Sequence, residues 1–187
     1  MSITLEEYIK AGLESRKSID TGMIREVSAL LLTRFRKGGK LITFGNGGSA
    51  ADAQHFVGEL DGHFTRERDA LPAIALSTNT SSITAIGNDY RYEDIFSRPV
   101  KALACPMDVV VGISTSGNSR NVLKALEAAR NNGAYTIGMT GSSGGKVAGI
   151  VDMCLKAGSD FTPVIQETHI TMIHMICLEI DRLMEIK

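Results

Sequence analysis

The chain has 187 residues, enough for one domain with a single sizeable core. Hydrophobic residues make up 43% and charged residues 22%, with a formal net charge of −1 and no run of like charges. That balance excludes a nucleic-acid binder built on a clustered basic face, and no apolar run approaches the ~20 residues that span a bilayer.

Residues 1–7 are acidic and lack the basic and apolar blocks of a signal peptide, so a soluble, cytoplasmic protein is expected. Glu6 to Lys17 and Met23 to Arg36 carry apolar residues three and four apart, which predicts two helices, the second stopping at Gly38-Gly39. Short β-favouring runs follow at residues 40–44, 73–76, 108–113, 134–139 and 151–155. The middle ones lead into Gly, Ser, Thr or Asn and then a helical pattern. Strands that are apolar throughout are buried on both faces, and alternation with helices implies parallel crossovers. The expected fold is therefore a three-layer α-β-α sandwich of class α/β. Residues 164–186 predict a long last helix with more than one apolar stripe, covered by the core, by an oligomer contact, or by both. The expected organisation is one domain, with N-terminal helices over 1–38, the α/β core over 39–160 and the last helix over 161–187. Cys105, Cys154 and Cys177 have no metal-like spacing and read as reduced and mostly packed thiols.

Ligands of such sheets bind beyond the carboxyl ends of the strands, at the loops after Phe44, Leu76, Ile113 and Met139. After Ile113 come Ser114-Thr115-Ser116-Gly117-Asn118-Ser119 and then a helix over 122–130. Hydroxyls and unpaired N–H groups gathered at a helix start suit an anion. No lysine stands at Walker spacing, so a small phosphate ester fits better than a triphosphate. A single capping serine would not need four hydroxyls in six positions. The Gly45-Asn46-Gly47-Gly48-Ser49 loop allows a close approach of backbone to ligand, whereas Gly141-Ser142-Ser143-Gly144-Gly145 reads as structural. His55 and Glu59 lie four apart on the helix after the first loop. Such a pair can move a proton or hold a metal, and the same spacing also occurs in plain exposed helix pairs.

The run Gly45-Asn46-Gly47-Gly48-Ser49-Ala50-Ala51-Asp52-Ala53-Gln54-His55-Phe56, with Gly87-Asn88-Asp89, Ser114 to Ser119 and Ile165-Gln166-Glu167, resembles the phosphoheptose isomerase branch of the sugar-isomerase (SIS) family. The similarity covers nearly the whole chain. It implies a five-stranded parallel, flavodoxin-like SIS sheet and a homotetramer with active sites between subunits. It also implies an aldose–ketose isomerase that converts sedoheptulose 7-phosphate to D-glycero-D-manno-heptose 7-phosphate, opening nucleotide-activated heptose biosynthesis. By the same resemblance, His55, Glu59, Gln166 and His174 would hold one Zn2+, with Glu59 the base and His174 the second proton-transfer group. Asn46, Gly47, Gly48, Ser49, Asn88, Asp89 and Gln166 would meet the sugar, and Ser114, Thr115, Ser116 and Ser119 the phosphate.

Gln166 and His174 are eight apart, about 12 Å along one helix, so a shared metal needs both side chains stretched or two subunits. His169 is a rival ligand by spacing, and a packed or hydrogen-bonded histidine is the expectation there. Where many relatives carry arginine this chain has His63 and Val164, leaving Arg66, Arg68 or Arg91 to supply the charge. Non-catalytic relatives that bind a replication initiator lack the acid and histidine at positions 59 and 174, and both are present here. Another sugar phosphate as substrate is the remaining alternative.

Overall fold

The computed structural model describes residues 3–185; Met1, Ser2 and the expected helix end at Ile186 lie outside them. Thr4 and Glu7 form a reciprocal capping box that starts helix α1, Leu5–Lys17. Asp20 accepts from the amides of Gly22 and Met23 to start α2, Thr21–Arg36. The core then alternates: β1 (Leu41–Gly45), α3 (Gly48–Asp61), β2 (Ala73–Ala75), α4 (Thr80–Asp89), α5 (Ser97–Leu103), β3 (Val109–Ser114), α6 (Arg120–Asn131), β4 (Tyr135–Thr140), β5 (Met153–Lys156) and α7 (Thr162–Glu185).

The five strands are all parallel, in the order β2-β1-β3-β4-β5. Helices cover both faces because side chains alternate along each strand. Val109, Val111 and Ile113 of β3 join a core with α2, α3 and α7, while Val110 joins Val100 of α5 and Val122 and Leu126 of α6 on the other face. Gly112 shares that second face, where a Cβ would lie 2.9 Å from both Leu126 Cδ1 and Val122 Cγ1, so α6 sits close on the sheet.

The strand order reverses between β1 and β3. Their crossovers leave to opposite faces and open a crevice at the carboxyl ends, where Gly45 pairs with Ile113. Along α7, Ile165, His169, Met172, Ile173, Ile176, Ile180 and their neighbours form one broad buried stripe, which places this helix in the chain's own core; Leu178 stays exposed. Among the described residues no helix is long and apolar enough to cross a membrane.

Candidate active site

Two loops meet at the crevice. Asn46, just after β1, and Asn121, in the first turn of α6, exchange amide hydrogen bonds of 2.9 and 2.8 Å. The Tyr92 hydroxyl donates to Asn46 Oδ1 from the side at 3.1 Å. Gly47 has φ +54° and ψ −123°, a backbone shape glycine alone takes easily, and it turns the chain straight into α3.

Ser119 occupies the cap position of α6 without using its side chain as a cap; its hydroxyl lies 3.0 Å from that of Ser114 instead. The Ser114 and Ser119 hydroxyls thus stand together at the start of α6, a place suited to an anion, while the Val122 amide is taken by Asn121 Oδ1 and the Ser116 hydroxyl by the Asn118 amide. Gly117 makes the loop's reversal at φ +63°, and its carbonyl accepts from the Val147 amide. Asn118 Oδ1 accepts from the Lys146 amide at 3.1 Å. The Gly141 to Gly145 loop thus braces the serine loop from behind, in keeping with its structural reading.

The titratable cluster stands lower on the molecule, where α3 and α7 lie side by side. His55 Nε2 is 2.9 Å from Glu59 Oε1 and 3.0 Å from His174 Nε2, with the Phe64 ring 5.5 Å from the His174 ring as a wall. The His55–Glu59 half follows from spacing on one helix. His174 arrives because Gln166 lies against Gly48 and His174 against His55, so the two helices run in the same direction. The Glu59 side chain is 22% exposed, turned toward its partners rather than to bulk solvent.

One ligand atom from each of His55, Glu59 and His174 lies within 4.8 Å of the others. A tetrahedral ion with ligands ~2.1 Å away sets its donors about 3.4 Å apart, so two imidazoles and a carboxylate at these separations fit a divalent cation such as zinc.

Gln166 lies upstream of this trio. A Cβ on Gly48 would sit 2.3 Å from Gln166 Nε2, so the amide lies directly against the start of α3 and any larger residue there would have to displace it. Gln166 and His55 line a common cavity of about 350 Å³ with Gly48, Asp52 and Glu167. Asn88 and Asp89 are exposed in the last turn of α4 and bond to each other at 2.8 Å. Glu59 is eleven residues beyond Gly48, about 16 Å down the axis of α3 from the crevice.

His169 is fully buried and donates from Nε2 to the Thr140 carbonyl, apart from the cluster. Burial pushes its imidazole down to about 4. Between its ordinary 6.5 and that value, the unfolded chain takes up a proton that the folded chain refuses. Stability should therefore fall as pH drops through this window, by on the order of 3 kcal/mol. Urea unfolding of His169→Gln should show a flatter loss between those pH values than the parent protein. Equal slopes would count against a neutral buried ring.

Of the arginines considered as phosphate ligands, Arg68 is ruled out by its surroundings. It is nearly buried and bonded to Asp181 and to the carbonyls of Glu59 and Leu60. Arg66 is paired with Glu185, and Arg91 is exposed. Val164 is fully buried and His63 exposed. Sequence reasoning missed Asn121 and Tyr92, whose only signal was a place beside the loops they hold.

A family model described as SIS domain matches residues 6–141. A protein named probable phosphoheptose isomerase from Thermoplasma volcanium is 56% identical over 177 residues, covering 95% of this chain and 90% of the relative. The phosphoheptose isomerase of Trichlorobacter lovleyi is 57% identical over 157 residues, covering 84% and 80%. Among solved structures, a phosphoheptose isomerase from Francisella tularensis superposes with a TM-score of 0.88 at 37% identity, covering 95% of this chain and 94% of that one. The enzyme of that name from Neisseria gonorrhoeae does so with 0.86 at 43%, with the same coverage. The chain belongs to the SIS domain family, within its phosphoheptose isomerase group, and is an isomerase.

Proposed function

We propose that this enzyme converts sedoheptulose 7-phosphate to D-glycero-D-manno-heptose 7-phosphate, the first step of nucleotide-activated heptose biosynthesis, in the cytoplasm. The observation that carries the reading is the convergence of Glu59 and His174 on His55, a carboxylate and a second proton carrier within hydrogen-bond reach. The hydroxyl cradle of Ser114, Thr115, Ser116 and Ser119 anchors the phosphate, and Asn46, Gly47, Gly48, Ser49, Asn88, Asp89 and Gln166 meet the sugar.

Glu59 takes a proton from C1 of the open-chain ketose and returns it to C2. His174 moves the hydroxyl proton between O2 and O1, so the atoms balance without a redox partner. His55, Glu59 and His174, with Gln166 as the expected fourth ligand, would hold one Zn2+, which when bound would supply Lewis-acid stabilisation of the oxygens on the reacting carbons.

Two observations support a homotetramer with shared active sites. Within one chain Glu59 stands about 16 Å along α3 from Gly48 at the crevice, whereas a seven-carbon ester with bonds of ~1.5 Å reaches roughly 9 Å. A cradle from one protomer facing the cluster of another resolves that mismatch. In addition, Leu5, Ile9 and Leu13 stand four apart on α1 at 77%, 62% and 51% exposure, an apolar stripe that a second copy would cover.

The test is incubation with sedoheptulose 7-phosphate, following the aldose by NMR. Chelation should cut the rate at least about tenfold with little change in melting temperature. No turnover in zinc-loaded protein, together with tight binding to a replication initiator, would move the chain to the non-catalytic reading.

A further inference from the structure

We infer that Arg68, anchored by Asp181, is a positioning residue for the Glu59 carboxylate. The inference rests on the reading of Glu59 as the base.

Glu59 belongs to the last turn of α3, which ends at Asp61, with Gly62 after it. The final carbonyls of a helix have no intrahelical partner, and a cation placed there both satisfies them and opposes the helix dipole. Arg68 does this with one guanidinium. Nη2 donates to the Glu59 carbonyl at 2.6 Å and Nη1 to the Leu60 carbonyl at 2.8 Å. Nε donates to Asp181 Oδ1 at 3.0 Å, and Asp181 Oδ2 accepts from the Thr65 amide and hydroxyl at 3.0 and 2.9 Å. The Arg68 and Asp181 side chains are 6% and 2% exposed.

The same pair reaches the other half of the cluster. Asp181 follows His174 by seven residues on α7, so the two share a face, with buried Cys177 between them. Burial, with the Glu59 carboxylate adding to it, pushes the Cys177 thiol up to about 12. A column of side chains thus runs from His174 through Cys177 to Asp181, across to Arg68, and back to the backbone of Glu59.

A buried ion pair is weak evidence of stabilisation, because desolvation offsets most of its attraction; its better-attested use is to specify one arrangement. Here the arrangement is the register between the end of α3, which carries Glu59, and α7, which carries His174. Without Arg68 the Leu60 carbonyl would keep the Leu71 amide at 2.9 Å, but the Glu59 carbonyl would lose its guanidinium partner and the carboxylate its fixed place.

The test uses Arg68→Lys, which keeps the charge and loses the fork, and the double change Arg68→Met with Asp181→Leu, which leaves no buried charge unpaired. Both are assayed well below their melting temperatures. We expect kcat to fall about 10- to 100-fold with KM within about twofold, and Zn2+ affinity, read by competition with a chromophoric chelator in the absence of substrate, to weaken about tenfold. A lower melting temperature with unchanged kcat and Zn2+ affinity would reduce the pair to a structural role and overturn the inference. If Arg68→Lys does not fold, the double variant decides. If the parent protein turns over no heptose phosphate, the proposed function fails, and Zn2+ affinity alone decides for Arg68: equal values in parent and variants sink it.

Discussion

Replacing Glu59 with glutamine is expected to lower turnover by at least about a thousandfold while leaving assembly and melting temperature unchanged. General-base catalysis contributes roughly 10²–10⁴, and an amide of the same shape cannot take up the proton. The substitution preserves packing at a side chain that is already four-fifths covered, and Oε1 remains to accept from His55, 2.9 Å away in the parent. KM should change little, since the proposed anchor for the phosphate is the serine loop, not Glu59. Turnover followed by NMR and mass by light scattering check both halves. A variant keeping more than about a tenth of the parent rate would remove Glu59 from its role.

The second large effect is expected at Gly117→Ala. At φ +63° any L side chain is strained, and a Cβ would lie 2.2 Å from the Gly144 carbonyl oxygen and 2.9 Å from the Gly145 amide nitrogen. These are backbone atoms, and Gly144 and Gly145 are themselves held at φ +76° and +54°, so the neighbour cannot rotate away. Strain and displacement together should cost about 2–4 kcal/mol in urea unfolding. The Ser114 to Ser119 loop would shift with them, raising KM for the sugar phosphate about tenfold. Gly149→Ala is the control, because no atom stands within 4 Å of its added Cβ and its φ is not positive; it should stay within about 0.5 kcal/mol. Equal stability for the two variants would show that the brace between the loops is not needed.

Much of the architecture was legible because periodicity is local. The run at 108–113 became a strand at Val109–Ser114, and the helix expected over 122–130 runs from Arg120 to Asn131. The stretch Thr80–Asp89 escaped, since threonine, serine and glycine are poor helix formers and its apolar residues are few. It is helical because Asn79 caps it by accepting from the Ser82 amide. Ser97–Leu103 escaped too, being short with a proline in its first turn, where proline is tolerated.

The sequence by itself determined the alternation of strands and helices, the phosphate-style serine loop and the His55–Glu59 pair, because each depends on residues a few positions apart. The family resemblance alone linked His174 to that pair, and the tertiary structure brings it to them from 119 residues away; only the tertiary structure decided that Asn46 and Asn121 lock two loops across 75 and that Arg68 serves Asp181 rather than a phosphate. Those contacts exist only after α3 and α7 dock on one face of the sheet and β1 pairs with β3. Docking is driven by the summed burial of many apolar side chains, a long-range quantity that no local pattern encodes.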